Sequence, residues 1–279
     1  HWAKKDFISI SDIAHLLKNQ NNFDLTEQNQ IIDVDIKKNK KIFKNYMKLK
    51  LMQLLYIRRK IFELFGSSKY TPKTALNNID KKLSNYLNYK YGFFIEAGAN
   101  NGISQSNTYY LEYGLKWKGC LIEAIPNLAD ECKKNRKNSF VYNKALVSNS
   151  EKYNIVTMHY ANLMSVSRLA KSVSEVKEHI VAGLIAQNID ESYSVDVRAA
   201  TLEEILDNHK PDRIDLLSLD IEGGEYDALV GLNLQKYRPQ YILIETNDCM
   251  KISGLLQNYG YCLVDKLSKH DYLYKCEIV

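Results

Sequence analysis

Acidic side chains stand where short apolar runs stop. Phe93-Phe94-Ile95 leads into Glu96, Cys120-Leu121-Ile122 into Glu123, Leu216-Leu217-Ser218-Leu219 into Asp220 and Glu222, and Tyr241 to Ile244 into Glu245. After Glu96 the chain breaks into Ala97-Gly98-Ala99-Asn100-Asn101-Gly102, and a polar stretch through Asn107 precedes a helix-like segment. Strand, tight turn and helix start in that order make a nucleotide-type binding corner. The glycines let the backbone turn sharply and approach a ligand, and the helix start offers free N–H groups. A dinucleotide fingerprint would want GxGxxG, and Asn100 occupies the middle position. The carboxylate ahead of the glycines suits a cationic ligand that bears an amino acid. Gly98, Ala99, Asn100, Gly102 and Asn107 are therefore candidate cofactor residues together with Glu96.

Glu123 lies 21 residues after Gly102, an offset at which an acid accepts hydrogen bonds from ribose hydroxyls. Asn143 is the candidate for an adenine edge, although an ordinary turn asparagine reads the same way. Asp220 and Glu222 alternate with apolar residues, which places both on one face at the sheet's carboxyl end. Such a pair can orient or deprotonate a substrate hydroxyl, and Asp220 also borders the cofactor side. A lone carboxylate is a weak base for an alcohol, so alignment must do most of the work. His270, beside Asp271, is a further candidate base; a plain turn histidine is the alternative. No His or Cys spacing fixes a metal site.

These residues need a βα frame, and the apolar pattern supplies one. Strands are expected at 92–97, 119–124, 139–146, 214–220 and 240–246, and helices at 105–115, 127–137, 201–209, 225–234 and 250–258. Runs 260–267 and 270–278 lie too close together for a crossover and should pair as a hairpin. The result is an open parallel α/β sheet with an antiparallel strand at its end. Between core elements, residues 148–198 read as an insertion that covers the substrate, with a strand near 152–159 and a helix over 167–188. Ala75 to Tyr89 reads as a lead-in helix and Gly66 to Pro72 as a linker.

With those residues placed, the core from about Tyr91 to Cys276 resembles the FkbM family of class I S-adenosylmethionine-dependent methyltransferases. The resemblance rests on FIEAGANNG with SNTYYLE, on WKGCLIEAIP, on LLSLDIEGGEYDAL, on YILIE and on HDYLY. It implies the three-layer, Rossmann-like, seven-stranded methyltransferase sheet with a C-terminal antiparallel hairpin. It also implies S-adenosylmethionine as cofactor, held at Glu96, Gly98, Asn100, Gly102 and Glu123, and a functional role near Asp220 and Glu222. Family members are generally O-methyltransferases of sugars, glycans or natural products, so the expected acceptor is a sugar hydroxyl of a surface glycan. Glu96 stands where Asp is frequent, and Ala124-Ile125-Pro126 departs from the usual turn. The alternatives are an NAD(P)-dependent oxidoreductase, which the absent GxGxxG disfavours, and a non-catalytic membrane-associated scaffold.

The chain has 279 residues, 45% hydrophobic and 25% charged, with a net charge of +5. The segment from Lys37 to Lys60 carries ten Lys or Arg without an acid, more than the whole net charge, so the rest of the chain is slightly acidic. A surface that coats nucleic acid is not implied. Over 37–65, Phe43, Met47, Leu51, Leu54, Ile57, Ile61 and Phe65 form an apolar stripe on a basic helix. Such a helix suits an anionic membrane surface, a homodimer contact, or packing on its own domain. Residues 1–80 are thus expected as a helical N-terminal extension and 81–279 as the catalytic domain. Five cysteines without a CxxC pair read as reduced, buried and cytoplasmic. The expected location is the cytoplasm, with peripheral contact at the inner membrane face as the helix's option. His1 is no natural start, so a missing leader bears little on location.

Overall fold

The structure is a computed structural model that describes residues 73–150, 152–160, 166–167 and 193–277, with Leu54 and Arg58. The chain divides into two compact units, His1–Leu64 and Phe65–Val279; the second is described below. Apart from Leu54 and Arg58, the basic helix 37–65 and the linker after it lie outside the described residues, as does most of 167–188.

The strands are β1 (Phe93–Ala97), β2 (Lys118–Ile122), β3 (Phe140–Tyr142), β4 (Ala145–Leu146), β5 (Ile155–Tyr160), β6 (Val166–Ser167), β7 (Tyr193–Ala200), β8 (Leu216–Leu219), β9 (Tyr241–Glu245), β10 (Tyr261–Lys266) and β11 (Asp271–Cys276). The helices are α1 (Ile79–Leu83), α2 (Tyr109–Leu115), α3 (Pro126–Asn135), α4 (Leu202–His209), α5 (Glu225–Val230) and α6 (Cys249–Gln257). Seven strands form one sheet in the order β3-β2-β1-β8-β9-β11-β10. Six point the same way, and β11 alone inserts antiparallel, between β9 and its hairpin partner β10.

Strand alternation assigns the two faces. Ile95, Leu217, Leu219, Ile242 and Ile244 pack on Leu206, Leu229 and Leu256, which come from α4, α5 and α6. Phe94, Leu121, Leu216 and Leu243 pack on the other side against Leu83, Leu111 and Leu115 of α1 and α2. Because both faces are covered, the central strands are predominantly apolar, as buried parallel strands are, with Glu96 in β1 and Ser218 in β8 as the exceptions. Helix α4 starts at a capping box: Thr201 accepts from Glu204 N at 3.1 Å while Glu204 Oε2 accepts from Thr201 N at 2.8 Å. A cap of this kind is worth about 1 kcal/mol.

Four expectations need correction. Residues 75–89 hold only a 3₁₀ turn and the five-residue α1, because Asn77 and Asn78 adopt left-handed backbone. The helix expected from 105 begins at Tyr109, since Gln105 takes left-handed backbone and Ser106 Oγ accepts from Thr108 N and Tyr109 N. The run 139–146 splits between two sheets. β3 ends at Tyr142, and the Asn143 side chain donates to the carbonyls of Glu123 and Ala124 at 2.9 and 2.7 Å. The chain then leaves for a second sheet, β4-β7-β5-β6, with its own core around Ile125, Leu128, Val156 and Val197. Residues 148–198 therefore contribute strands where they are described, and Ser167 belongs to β6 where a helix was expected to start. Among the described residues, no helix is long and apolar enough to cross a membrane.

Candidate active site

Where β1, β2 and β8 end at their carboxyl edge, a cleft opens. That is the expected crevice of an open α/β sheet. Gly98, Asn100, Glu123, Asp220 and Glu222 line it, with Ile122, Leu146, Met158 and Ile221 as an apolar side. Sequence reading missed Met158, which the second sheet delivers.

Gly98 has φ +81°, and a Cβ there would lie 1.8 Å from the Asp220 carbonyl oxygen. The turn after β1 and the end of β8 thus pass in contact, and Asp220 N donates to Ala97 O at 3.2 Å. Glu123 joins the same turn to β2. Its Oε2 accepts from Asn100 N at 2.7 Å and its Oε1 from Ile125 N at 2.8 Å. Burial pushes its pKa up to about 7 against these backbone donors, which pull the other way. Each oxygen retains acceptor capacity toward the cleft, as a ribose-binding carboxylate requires.

Glu96 does not line the cleft. Its oxygens accept from Asn107 N at 2.7 Å, Ser106 Oγ at 2.8 Å and Thr108 Oγ1 at 2.6 Å. Together with Ser106, which accepts from Thr108 N and Tyr109 N, it occupies N–H groups at the start of α2. Two of the four donors at the helix start, Thr108 N and Tyr109 N, are therefore taken from within rather than offered to a ligand. Ala99 and Asn107 are buried away from the cleft as well, and Asn107 Nδ2 donates to Ser218 Oγ at 3.1 Å. Gly102 packs on α3, where a Cβ would meet Arg136 Cγ at 2.7 Å and Cys132 Sγ at 2.9 Å. Asn143 spends its amide on the two carbonyls named above, and its neighbours Lys144 to Leu146 border the cleft in its place.

Behind the turn sits Arg136, fully buried and unremarked in the sequence. Its Nε lies 2.7 Å from Glu112 Oε2 and its Nη1 3.5 Å from Glu96 Oε2. It also donates to Gly102 O, Ser106 Oγ and Thr108 Oγ1 at 3.0, 3.0 and 2.8 Å. A residue just past a helix end gives no sequence signal for this role. Cys120 and Cys132 are buried as expected, while Cys249, Cys262 and Cys276 are half-buried.

Asp220 and Glu222 both reach the cleft, but not by strand alternation. β8 stops at Leu219, and a turn follows in which Glu222 takes φ +57°. Glu225 Oε1 holds that turn by accepting from Ile221 N at 2.9 Å and Gly223 N at 3.1 Å. A second cavity, open to solvent, adjoins the first through Glu222 and is lined by Glu245, Thr246, Lys251 and His270. His270 is therefore in this second cavity and absent from the first. The Asp220 carboxyl is held well above the usual range by burial first, then by contact with the Glu245 carboxyl and the charges of Glu222 and Glu225.

Seven strands ordered 3-2-1-4-5-7-6, the seventh antiparallel, with a cleft at the carboxyl ends of the first, second and fourth, define a class I methyltransferase-type sheet. Residues 96–263 match the methyltransferase FkbM domain, and the chain belongs to that family. Among solved structures it is similar to the FkbM methyltransferase of Methylobacillus flagellatus KT, with 13% identity, 77% of this chain and 52% of that one covered, and a TM-score of 0.44. It thus spans about half the length of that protein. Fibrillarin from Aeropyrum pernix, solved with S-adenosylmethionine, is similar at 11% identity over 67% of this chain and 66% of that one, TM-score 0.37. A Thiobacillus denitrificans methyltransferase solved with S-adenosylhomocysteine gives 9%, 72% of each chain and 0.33. No curated protein matches the sequence.

Proposed function

We propose that the chain binds S-adenosylmethionine in the first cleft and methylates an oxygen of an acceptor in the second, a sugar hydroxyl of a surface glycan or glycoconjugate. The observation that carries this reading is that the two cavities adjoin at Glu222, with Asp220 in the wall of the first. The donor supplies an electrophilic methyl group on a sulfonium. Glu123 accepts the ribose hydroxyls, the Gly98 turn accommodates the amino-acid end, and Ile122, Leu146 and Met158 cover the base. Apolar walls and a few convergent polar groups suit such a ligand.

On the acceptor side, Glu222, Glu245 and Asp248 offer carboxylates to hydroxyl groups, and Lys251 and His270 supply donors. A polyhydroxylated acceptor fits this mixture better than an apolar one. Alignment of the acceptor oxygen supplies most of the rate, and a carboxylate at the junction takes its proton. Calorimetry with S-adenosylhomocysteine and with NAD tests the donor site; binding of NAD alone overturns the reading. Mass spectrometry of surface glycans and nucleotide sugars, from cells with and without the gene, tests the acceptor. A methyl group missing from a sugar is expected, and unchanged glycans alongside a methyl group missing elsewhere would overturn the sugar assignment.

A further inference from the structure

β8 and β9 run parallel in a register that pairs Leu219 with Ile244. The next residues, Asp220 and Glu245, therefore stand side by side at the ends of adjacent strands, close enough for a hydrogen bond between their carboxyl groups to raise the proton affinity of Asp220. Two carboxyl groups can make that contact only when one of them carries a proton. Asp220 lines the donor cleft, and Glu245 lines the acceptor cavity. The pair thus spans the wall between them.

Resting on the methyl-transfer reading, we propose that Asp220 and Glu245 act as one base, a carboxyl pair that takes the acceptor's proton and holds it between the two side chains. Glu245 is then a positioning residue that sets the proton affinity of Asp220. In the transfer, the acceptor oxygen gains the methyl carbon as the carbon–sulfur bond breaks. The acceptor's O–H bond breaks too, and its proton passes to the doubly ionised pair, which later releases it to water. A lone Asp is a weak base for an alcohol, whereas two carboxylates in contact resist double ionisation and so bind the first returning proton tightly.

The charged surroundings point the same way. Glu222 and Glu225, from the turn and from α5, add negative charge around Asp220. Asp271 stands opposite Glu245 across β11, and its own carboxyl is raised, by burial first and then by effects that include the Glu245 charge. Lys251 and His270 face the acceptor cavity, and Lys144 faces the donor cleft. Lys251 holds its ammonium 3.9 Å from the Tyr226 ring centroid.

The test is a titration of side-chain carboxyl ¹³C shifts in the full chain over about pH 3 to 9, for wild type, Glu245→Gln and Glu245→Asp. Wild type should show Asp220 and Glu245 reporting the same two steps, with Asp220 titrating well above the ordinary carboxylate range. Glu245→Gln should abolish the shared steps and lower the Asp220 titration, which burial, Glu222 and Glu225 still hold above the ordinary carboxylate range, and Glu245→Asp should restore two steps. Independent single steps in wild type, or an Asp220 titration unmoved by Glu245→Gln, overturn the pair. Calorimetry with S-adenosylhomocysteine on the same samples separates the two readings. Coupled steps without binding sink the methyl-donor site, and binding with independent steps sinks only the pair.

Discussion

The backbone amide of Asn100 donates to Glu123 Oε2 at 2.7 Å. The carboxylate assigned to the ribose is therefore also the clasp that holds the turn after β1 against the end of β2. Glu123→Ala should lose a ligand partner and orphan the amides of Asn100 and Ile125, at about 1–3 kcal/mol for each. The expected result is at least a roughly tenfold loss of S-adenosylhomocysteine affinity with a lowered melting temperature. Calorimetry that returned wild-type affinity would remove Glu123 from the site.

The same residue makes stability depend on pH with a definite sign. Its pKa rises from 4.5 to about 7 on folding, so the folded state binds the proton more tightly than the unfolded chain. Stability from this group is complete below about pH 4.5, falls as pH rises toward about 7, and is level above that, for a total of roughly 3 kcal/mol. Asp220, Glu225 and Asp271 are raised too and add slope of the same sign. The informative quantity is thus the difference between wild type and Glu123→Gln. Urea melts at about pH 5 and pH 8 should show a smaller loss in the variant, and parallel losses would show that Glu123 ionises normally.

Two glycines predict opposite outcomes. Gly98→Ala places a methyl group 1.8 Å from the Asp220 carbonyl at a φ of +81°, and backbone cannot move aside cheaply. It should abolish cofactor binding and cost more than about 2 kcal/mol. Gly254 lies inside α6 with nothing within 4 Å of its added Cβ. Gly254→Ala should stabilise by about 0.5–1 kcal/mol through helix propensity. Thermal melts of both settle the comparison, and a stable, ligand-binding Gly98→Ala would refute the close approach.

Arg136 supplies a third contrast. Arg136→Met leaves Glu96 and Glu112 buried without their shared cation, which should cost about 3–5 kcal/mol. Arg136→Lys should recover little, because an ammonium cannot fork among two carboxylates, a carbonyl and two hydroxyls. A melting temperature within a degree or so of wild type for Arg136→Lys would show that the fork is dispensable.

The strands were legible because their apolar runs are dense, and the acids stood out because they interrupt those runs. Glu123, Gly98, Asn100, Asp220 and Glu222 come together at one cleft, as their positions after successive strands imply. What sequence reading could not separate was a carboxylate facing a ligand from one facing its own loop. Glu96 and Glu123 occupy equivalent strand ends, yet three hydroxyl and amide donors from 106–108 claim Glu96. Asn143 failed as an adenine contact for a similar reason, since two carbonyls left exposed beyond β2 take its amide. Met158 and Arg136 were invisible because their positions depend on long-range packing that no local period encodes.

Asp220 carries the sharpest functional prediction. Its backbone is fixed by Ala97 O and by the pass against Gly98, so a change of side chain leaves the turn's path intact. Asp220→Asn keeps the shape, replaces a carboxyl oxygen with an amide donor toward Glu245, and removes the group that takes the proton. S-adenosylhomocysteine affinity should stay within about threefold of wild type, a change below 1 kcal/mol. Methyl transfer should fall about 10²–10⁴-fold, the usual worth of a positioned proton acceptor. Glu222→Gln, which borders both cavities but is held by a different turn geometry, should fall less and chiefly through the acceptor's KM. Radiolabelled methyl transfer measured alongside calorimetry separates these outcomes. Full turnover by Asp220→Asn would remove it from the chemistry, whereas a parallel loss of binding and transfer would reassign it to the cofactor side.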